Sequence, residues 1–181
     1  MTTITSPPFT KVSVLAQGSL GSSSQLVQIP FDPTGVNWWE CTFQTIPNNS
    51  VAGYIPLDIR FNNLSTNIYT FGVERNTQGV LTTVVPAAAG AQIRSNAFAG
   101  SSLATPGTIV KVRGGNPTID SFSQVDIDVI GSTVKGNFVR DKILGMVNIA
   151  AAITEIDFSA VSGGEFFSAS FTRWLILGYG K

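Results

Sequence analysis

Alternation of apolar and polar residues with a period of two runs through most of this chain, and it constrains the fold more than any other feature. Leu57, Ile59 and Phe61 alternate with Asp58 and Arg60, a pattern typical of a β-strand with one buried and one solvated face. The same period marks residues 38–45, 69–74 and 125–129, and turn-forming residues lie at 62–63, 76–79, 114–117 and 163–164. The sequence therefore predicts an all-β domain.

The number and spacing of these runs favour one architecture. About eight to ten strands at irregular spacing suit a single β-sandwich, most naturally of the jelly-roll type. No internal repeat is visible, which argues against a propeller or a β-solenoid. Residues 87–100 and 140–152 are Ala-rich, and the second stretch could carry a short helix, since Ile143, Met146, Val147 and Ala150 fit a period of 3.6.

Residues 1–30 are predicted to form an extended arm ahead of a sandwich domain at residues 31–181. Pro7 and Pro8 oppose regular structure, and the Gly/Ser run at 18–24 is typical of a flexible linker. Two short strand candidates within the arm could add to the open sheet edge of a neighbouring subunit. Their apolar anchors are Val12, Val14, Leu26 and Ile29.

The C-terminal run at 166–177 is long and apolar on both faces. A strand of that kind belongs at the centre of a sheet or beneath a partner subunit. It supplies the other predicted interface residues, which are Phe166, Phe171, Trp174 and Ile176.

The inventory of reactive side chains argues against an enzyme. The 181 residues include no histidine and one cysteine, which excludes imidazole catalysis, intramolecular disulfides and the usual Cys/His zinc sites. Cys41 alternates within a strand and is predicted to be a small core residue. No nucleophile, phosphate-loop or dinucleotide motif is present, so neither catalysis nor a cofactor is expected.

Asp126 and Asp128 are the only weak metal-ligand candidates, because residues two apart on a strand share a face. Paired carboxylates can bind calcium or act in a glycosidase, but no Asp/Asn/Gly-rich loop follows them. Trp38 and Trp39 are adjacent and must point to opposite faces, so they cannot form one sugar-stacking platform. A solvated sheet face is the favoured interpretation of the two aspartates.

Charge argues against binding to nucleic acid or membranes. Eleven basic residues balance eleven acidic ones, and the basic pairs Lys111/Arg113 and Arg140/Lys142 form no block in the arm. The start lacks a signal-peptide pattern, and the longest near-apolar run is about half a membrane span. We expect synthesis in the cytoplasm, and a surface poor in charge suits a subunit that its neighbours cover.

A stretch in the middle of the chain adds a resemblance. Residues 55–63 form a strand pattern ending in an Asn turn, residues 69–71 and 81–85 suit a hairpin, and a Pro-Ala turn and the 125–129 strand follow. Over about residues 54–130, this order resembles a module of small bacteriophage virion structural proteins.

The resemblance implies a virion component of the capsid or decoration type, with copies of itself and other virion proteins as partners. It implies no active site. The alternative is a receptor- or glycan-binding module of a phage fibre or spike, which would display Trp38, Trp39, Tyr54 and Tyr69 together.

Overall fold

The computed structural model of the chain describes residues 11–48, 56–64, 66, 68–77, 79–84, 92–95, 107–115, 123–132, 138–148, 151–161, 165–166 and 171–180. Those residues form fourteen strands and no helix. The strands are β1 (Lys11–Ser19), β2 (Leu26–Pro30), β3 (Trp38–Thr45), β4 (Pro47–Asn48), β5 (Leu57–Phe61), β6 (Ile68–Thr77), β7 (Val80–Val84), β8 (Ile93–Ser95), β9 (Thr108–Gly115), β10 (Ser123–Ser132), β11 (Phe138–Val147), β12 (Glu155–Ala160), β13 (Glu165–Phe166) and β14 (Arg173–Gly180).

Two antiparallel sheets pack together, which confirms the predicted all-β sandwich. The larger sheet has eight strands in the order β1-β14-β3-β9-β10-β11-β6-β7, and the smaller has four in the order β2-β12-β5-β8. A two-residue ladder joins β4 to β13. The edges of the two main sheets are therefore β1, β7, β2 and β8.

Eight of the strands pair in a nested order. The first strand, β1, pairs with the last, β14, and the second, β2, pairs with β12. Inside these pairs, β3 pairs with β9 and β5 pairs with β8. The hairpin pairs β6–β7 and β10–β11 then extend the larger sheet beyond β9.

The core lies between the sheets and is built from the inward positions of the alternating strands. Trp39, Cys41 and Phe43 on β3 are buried, whereas Trp38, Glu40, Thr42 and Gln44 point outward. Phe43 stacks on Phe158 of β12 with ring centroids 4.2 Å apart and planes 9° from parallel. This stack joins the two sheets at the centre of the core.

Close packing around Trp39 explains one glycine. A methyl group at Gly114 of β9 would overlap the indole ring of Trp39, which is fully buried and also packs against Phe31 with ring centroids 5.7 Å apart. Because a buried indole has no room to move aside, only glycine fits beneath it.

A buried ion pair within the larger sheet also contacts the smaller sheet. Asp141 is an inward residue of β11 and is fully buried; its two carboxylate oxygens each accept a 2.8 Å hydrogen bond from the guanidinium of Arg75 on β6. The hydroxyl of Ser95, on β8 of the smaller sheet, donates a 2.8 Å hydrogen bond to the same carboxylate. Buried charge is costly unless it is paired, so these contacts hold β8 against the extended part of the larger sheet.

Residues 11–30 belong to the sandwich and not to a separate arm, which corrects the prediction made from their composition. β1 pairs with β14 of the same chain, and β2 pairs with β12. Val27 and Ile29 are buried in the core, so removing this segment would uncover apolar surface. Residues 1–10 lie outside the described part of the chain.

The helix suggested for residues 140–152 is also wrong. Residues up to Val147 form β11, where Val139, Asp141 and Ile143 are buried and the residues between them are exposed. The buried residues of β11 repeat every two positions. The apparent helical spacing of 3.6 arose because Met146, which points outward, is apolar like the inward-pointing Val147 beside it. Of the other Ala-rich stretch, residues 87–100, the structure describes only β8 and the residue before it.

Across the residues that the structure describes, no helix is long and apolar enough to cross a membrane.

Candidate interaction surfaces

The outer face of the larger sheet concentrates the charged side chains in stripes. The sign of the outward charges changes from each strand to the next across the six adjacent strands β14, β3, β9, β10, β11 and β6. Opposite charges on neighbouring strands stabilise a sheet, and the nearly balanced total leaves little net field to attract a polyanion. The residues, in strand order, are Arg173; Glu40; Lys111 and Arg113; Asp126 and Asp128; Arg140 and Lys142; and Glu74.

Asp126 and Asp128 share this face, as predicted, and each contacts an arginine. Asp128 accepts a 2.7 Å hydrogen bond from Nε of Arg140 and a second bond from Nη2 of the same guanidinium. Asp126 lies 3.6 Å from Arg113, whose Nε donates a 2.7 Å hydrogen bond to Glu40. Within the described ranges, no three His, Cys, Asp or Glu side chains come together in a way that could hold a metal ion. Cross-strand ion pairing therefore accounts for both carboxylates.

The β1 end of the same face is apolar. Val12 and Val14 on β1 are exposed, and they lie directly opposite Tyr179 and Leu177 of β14. Tyr179 in turn lies opposite Trp38 of β3. We call Val12, Val14, Leu175, Leu177, Tyr179 and Trp38 the apolar patch; its β14 and β3 members are partly exposed.

The other edge of the larger sheet, β7, is exposed on both faces. Val80 and Leu81 are 66% and 62% exposed, and Thr82 and Thr83 are exposed as well. The sequence marked this run as part of a hairpin. Its lack of any charge was the available signal that the strand is an unprotected sheet edge.

The predicted interface residues differ in exposure. Val12, Val14 and Leu26 are exposed, but Ile29 and Ile176 are wrong as interface residues because they are buried in the chain's own core. Both occupy inward positions of strands β2 and β14, whose alternation points them at the opposite sheet.

Three further candidates come from the C-terminal run. Trp174 is partly buried and packs over Gly18 of β1, and Phe171 is 39% exposed. The backbone of Phe166 pairs with Pro47, while its side chain and residues 167–170 lie outside the described part of the structure. Within β14 the run is apolar on both faces, of which one is core and the other belongs to the apolar patch.

Among the described residues, the single cysteine and the aromatic side chains predicted to lie together form neither a reactive nor a stacking site. Cys41 is fully buried, and burial raises the pKa of its thiol. Trp39 is in the core, whereas Trp38 and Tyr69 lie on the outer face four strands apart, a separation of about 19 Å at normal strand spacing. Tyr54 lies outside the described residues.

An open groove of about 530 Å³ lies at the end of the smaller sheet, between Phe31, Asp32, Asn62 and Glu155. Asn62 organises its floor: its Oδ1 accepts hydrogen bonds from the N–H groups of Thr154 (2.8 Å) and Glu155 (3.1 Å), and its φ is +51°. The Asn turn predicted at 62–63 therefore ties β5 to the start of β12.

Asp157 is the titratable group with the most perturbed environment near this end. It is buried on β12, and its Oδ1 has no hydrogen-bond partner. Burial, and secondarily the charge of Glu155, raise the pKa of Asp157 to about 6 against weaker opposing effects of Gln28, Asn63 and Arg60. A raised pKa favours the protonated folded form, so this group stabilises the fold fully below about pH 4 and loses that contribution as pH rises to about 6.

Asp157→Asn should therefore raise the free energy of unfolding at pH 7.5 and change it little at pH 4. The expected gain is about 1 kcal/mol, a third of the roughly 3 kcal/mol that a shift of this size could supply, because an amide no longer attracts Arg60. Urea unfolding of both proteins at the two pH values measures it. A variant that is less stable than wild type at pH 7.5 would contradict the prediction.

No family model matches the chain, and no curated protein or solved structure matches it either.

Proposed function

We propose that the chain is a non-enzymatic structural subunit of a virus particle, acting by assembly with copies of itself and with other particle proteins. The resemblance of residues 54–130 to small bacteriophage virion proteins is the first support. Under this proposal the chain is made in the host cytoplasm and resides in the particle.

The nested strand pairing is the second support. Eight strands that pair first with last, second with seventh, third with sixth and fourth with fifth follow the order expected of a jelly roll. The jelly roll is used by viral capsid proteins and also by lectins and cupins, so the strand pairing supports a capsid-type role by fold-level analogy.

The observation that carries the proposal is the apolar patch. Val12 and Val14 leave 59% and 57% of their surface exposed beside Leu177 and Tyr179, on a chain whose charged residues make up only 12%. Contiguous exposed apolar surface on a weakly charged protein is typical of an interaction site. The balanced charge stripes next to it favour a protein partner over a polyanion.

The fibre-type alternative has weaker support. It requires aromatic side chains displayed together, but Trp39 is buried and Trp38 lies four strands from Tyr69. Sugar stacking needs adjacent exposed rings, and the three described residues named for this alternative do not supply them. Trp38 lies instead opposite Tyr179 within the apolar patch.

Sedimentation at micromolar concentration tests the assembly proposal. We expect the wild-type chain to sediment as an oligomer. The double variant Val12→Asn/Val14→Asn should associate about 10- to 100-fold more weakly, because burying the two valines in the contact contributes about 1.5–3 kcal/mol to the free energy of association. Leu144→Asn is the matched control, since Leu144 is exposed on β11 and lies outside the apolar patch. A wild-type monomer at tens of micromolar that also fails to join particles would refute the proposal.

A further inference from the structure

Among the residues that the structure describes, strand β7 ends the larger sheet with an open edge of backbone groups. The register pairs Thr77 with Val80, which leaves two residues in the turn, and Gly79 adopts a φ of +87°. In a two-residue hairpin the flanking residues form a hydrogen-bonded pair, and the pattern alternates from there. Val80 and Thr82 therefore bond to β6, while the N–H and C=O groups of Leu81 and Thr83 point away from it.

The other three edges carry protective features that β7 lacks. β1 has Lys11 and a register shift between Val14 and Ala16, β2 ends in Pro30, and β8 is three residues long and includes Arg94. Charges, bulges, prolines and short length are the usual means of preventing edge-to-edge association. β7 consists of Val-Leu-Thr-Thr-Val, with no charge, proline or register shift.

We propose that β7 pairs antiparallel with β7 of a second copy of this chain, about a twofold axis at Thr82. This inference rests on the proposed assembly function and names one of its contacts. Leu81 of each copy lies opposite Thr83 of the other, and these two pairs exchange four backbone hydrogen bonds. Thr82 lies opposite Thr82 of the second copy, and Val80 lies opposite Val84.

A second copy is the partner that this strand fits. The chemistry of an open edge calls for another β-strand, and the sequence reads almost the same in both directions about Thr82. Antiparallel self-pairing then sets Thr82 against Thr82, which is a favourable cross-strand pair. It brings no charged residues face to face, because β7 has none. Arg75, which lies opposite Thr82 on β6, is paired with Asp141 of β11.

Disulfide trapping of Thr82→Cys tests this register. Thr82 lies at a non-hydrogen-bonded position of the pair, where Cα atoms are about 4.5 Å apart, within the range of about 4.4–6.8 Å that disulfides span. Cys41 is fully buried, so the introduced thiol is the reactive one. We expect mild oxidation to convert most of the variant to a covalent dimer.

Thr83→Cys is the matched control, because its own copy across the axis lies two residues out of register, at about 9 Å, too far for a disulfide. Equal cross-linking of both variants, or none of either, overturns the proposed pairing.

A second measurement uses charge. Thr82→Lys and Thr82→Glu should each self-associate at least 10-fold more weakly than wild type, and a 1:1 mixture of the two variants should recover heterodimers.

The outcomes separate this inference from the assembly proposal. An oligomer that persists in sedimentation while Thr82→Cys fails to cross-link overturns the β7 contact and leaves assembly standing. A cross-linked dimer that never joins particles supports the contact and counts against the virion role. A wild-type monomer at tens of micromolar overturns the β7 contact, and one that also fails to join particles overturns both.

Discussion

Arg75→Met should lower the free energy of unfolding by about 3–5 kcal/mol, because it removes the counter-charge of a fully buried carboxylate. Asp141 is 0% exposed and receives two hydrogen bonds of 2.8 Å from the Arg75 guanidinium. Methionine fills similar volume but offers neither charge nor donor, so the carboxylate must lose those bonds in an environment that solvates it poorly. Chemical denaturation monitored by tryptophan fluorescence would measure the loss.

A matched control is the Arg140–Asp128 pair on the outer face. It has the same two-bond geometry, but the side chains of Arg140 and Asp128 are 46% and 14% exposed. Arg140→Met should cost about 0–1 kcal/mol, since water solvates the groups it leaves behind. Equal losses from the two arginine variants would show that burial does not decide the effect.

The double variant Arg75→Met/Asp141→Leu separates the contribution of the ion pair from the cost of leaving the Asp141 carboxylate without its counter-charge. Replacing both members by apolar groups of similar volume is often neutral or stabilising, so the double variant should recover most of the stability lost by Arg75→Met. If it instead remains as unstable as the single variant, the Asp141 carboxylate contributes through other contacts, such as its bond from Ser95.

The period-two pattern was enough to predict the individual strands. Leu57, Ile59 and Phe61 are buried on β5, and Val125, Ile127 and Val129 are buried on β10, as their alternation indicated. Local spacing carries this information because side chains on a strand alternate between its faces whatever the strand pairs with.

Pairing between distant segments could not be predicted in the same way. The flexible composition around residues 18–24 suggested an arm, yet β1 extends into that stretch, β2 follows it, and the two strands join opposite sheets of the sandwich. Composition describes the linker but not the partners β14 and β12, which lie at the far end of the chain. Misplacing the segment also led to Ile29 being predicted as an interface residue.

The buried charge of Asp141 could have been recognised from the sequence. Asp141 occupies an inward position between Val139 and Ile143, where alternation calls for an apolar residue. A charge at such a position predicts a buried partner. Its partner Arg75 lies at an equivalent inward position of β6, but the pairing became apparent only with the register of β6 against β11.

Phe158→Ala should also cost about 3–5 kcal/mol, since it leaves a cavity where the two sheets meet. Phe158 on β12 is fully buried and stacks on Phe43 of β3, with ring centroids 4.2 Å apart. Strands from both sheets surround the missing ring, and their backbone ladders prevent the walls from closing over the space. Thermal and urea unfolding should both report the loss.

Phe138→Ala is the control for that substitution, because Phe138 is 62% exposed at the start of β11. Truncating an exposed ring removes little buried surface and should change stability by about 0.5 kcal/mol or less. Phe158→Leu further divides the effect, since it keeps most of the apolar volume and loses the ring stack, worth about 0.5–1.5 kcal/mol beyond burial. A Phe158→Ala loss no larger than that of Phe138→Ala would mean that this stack does not hold the two sheets together.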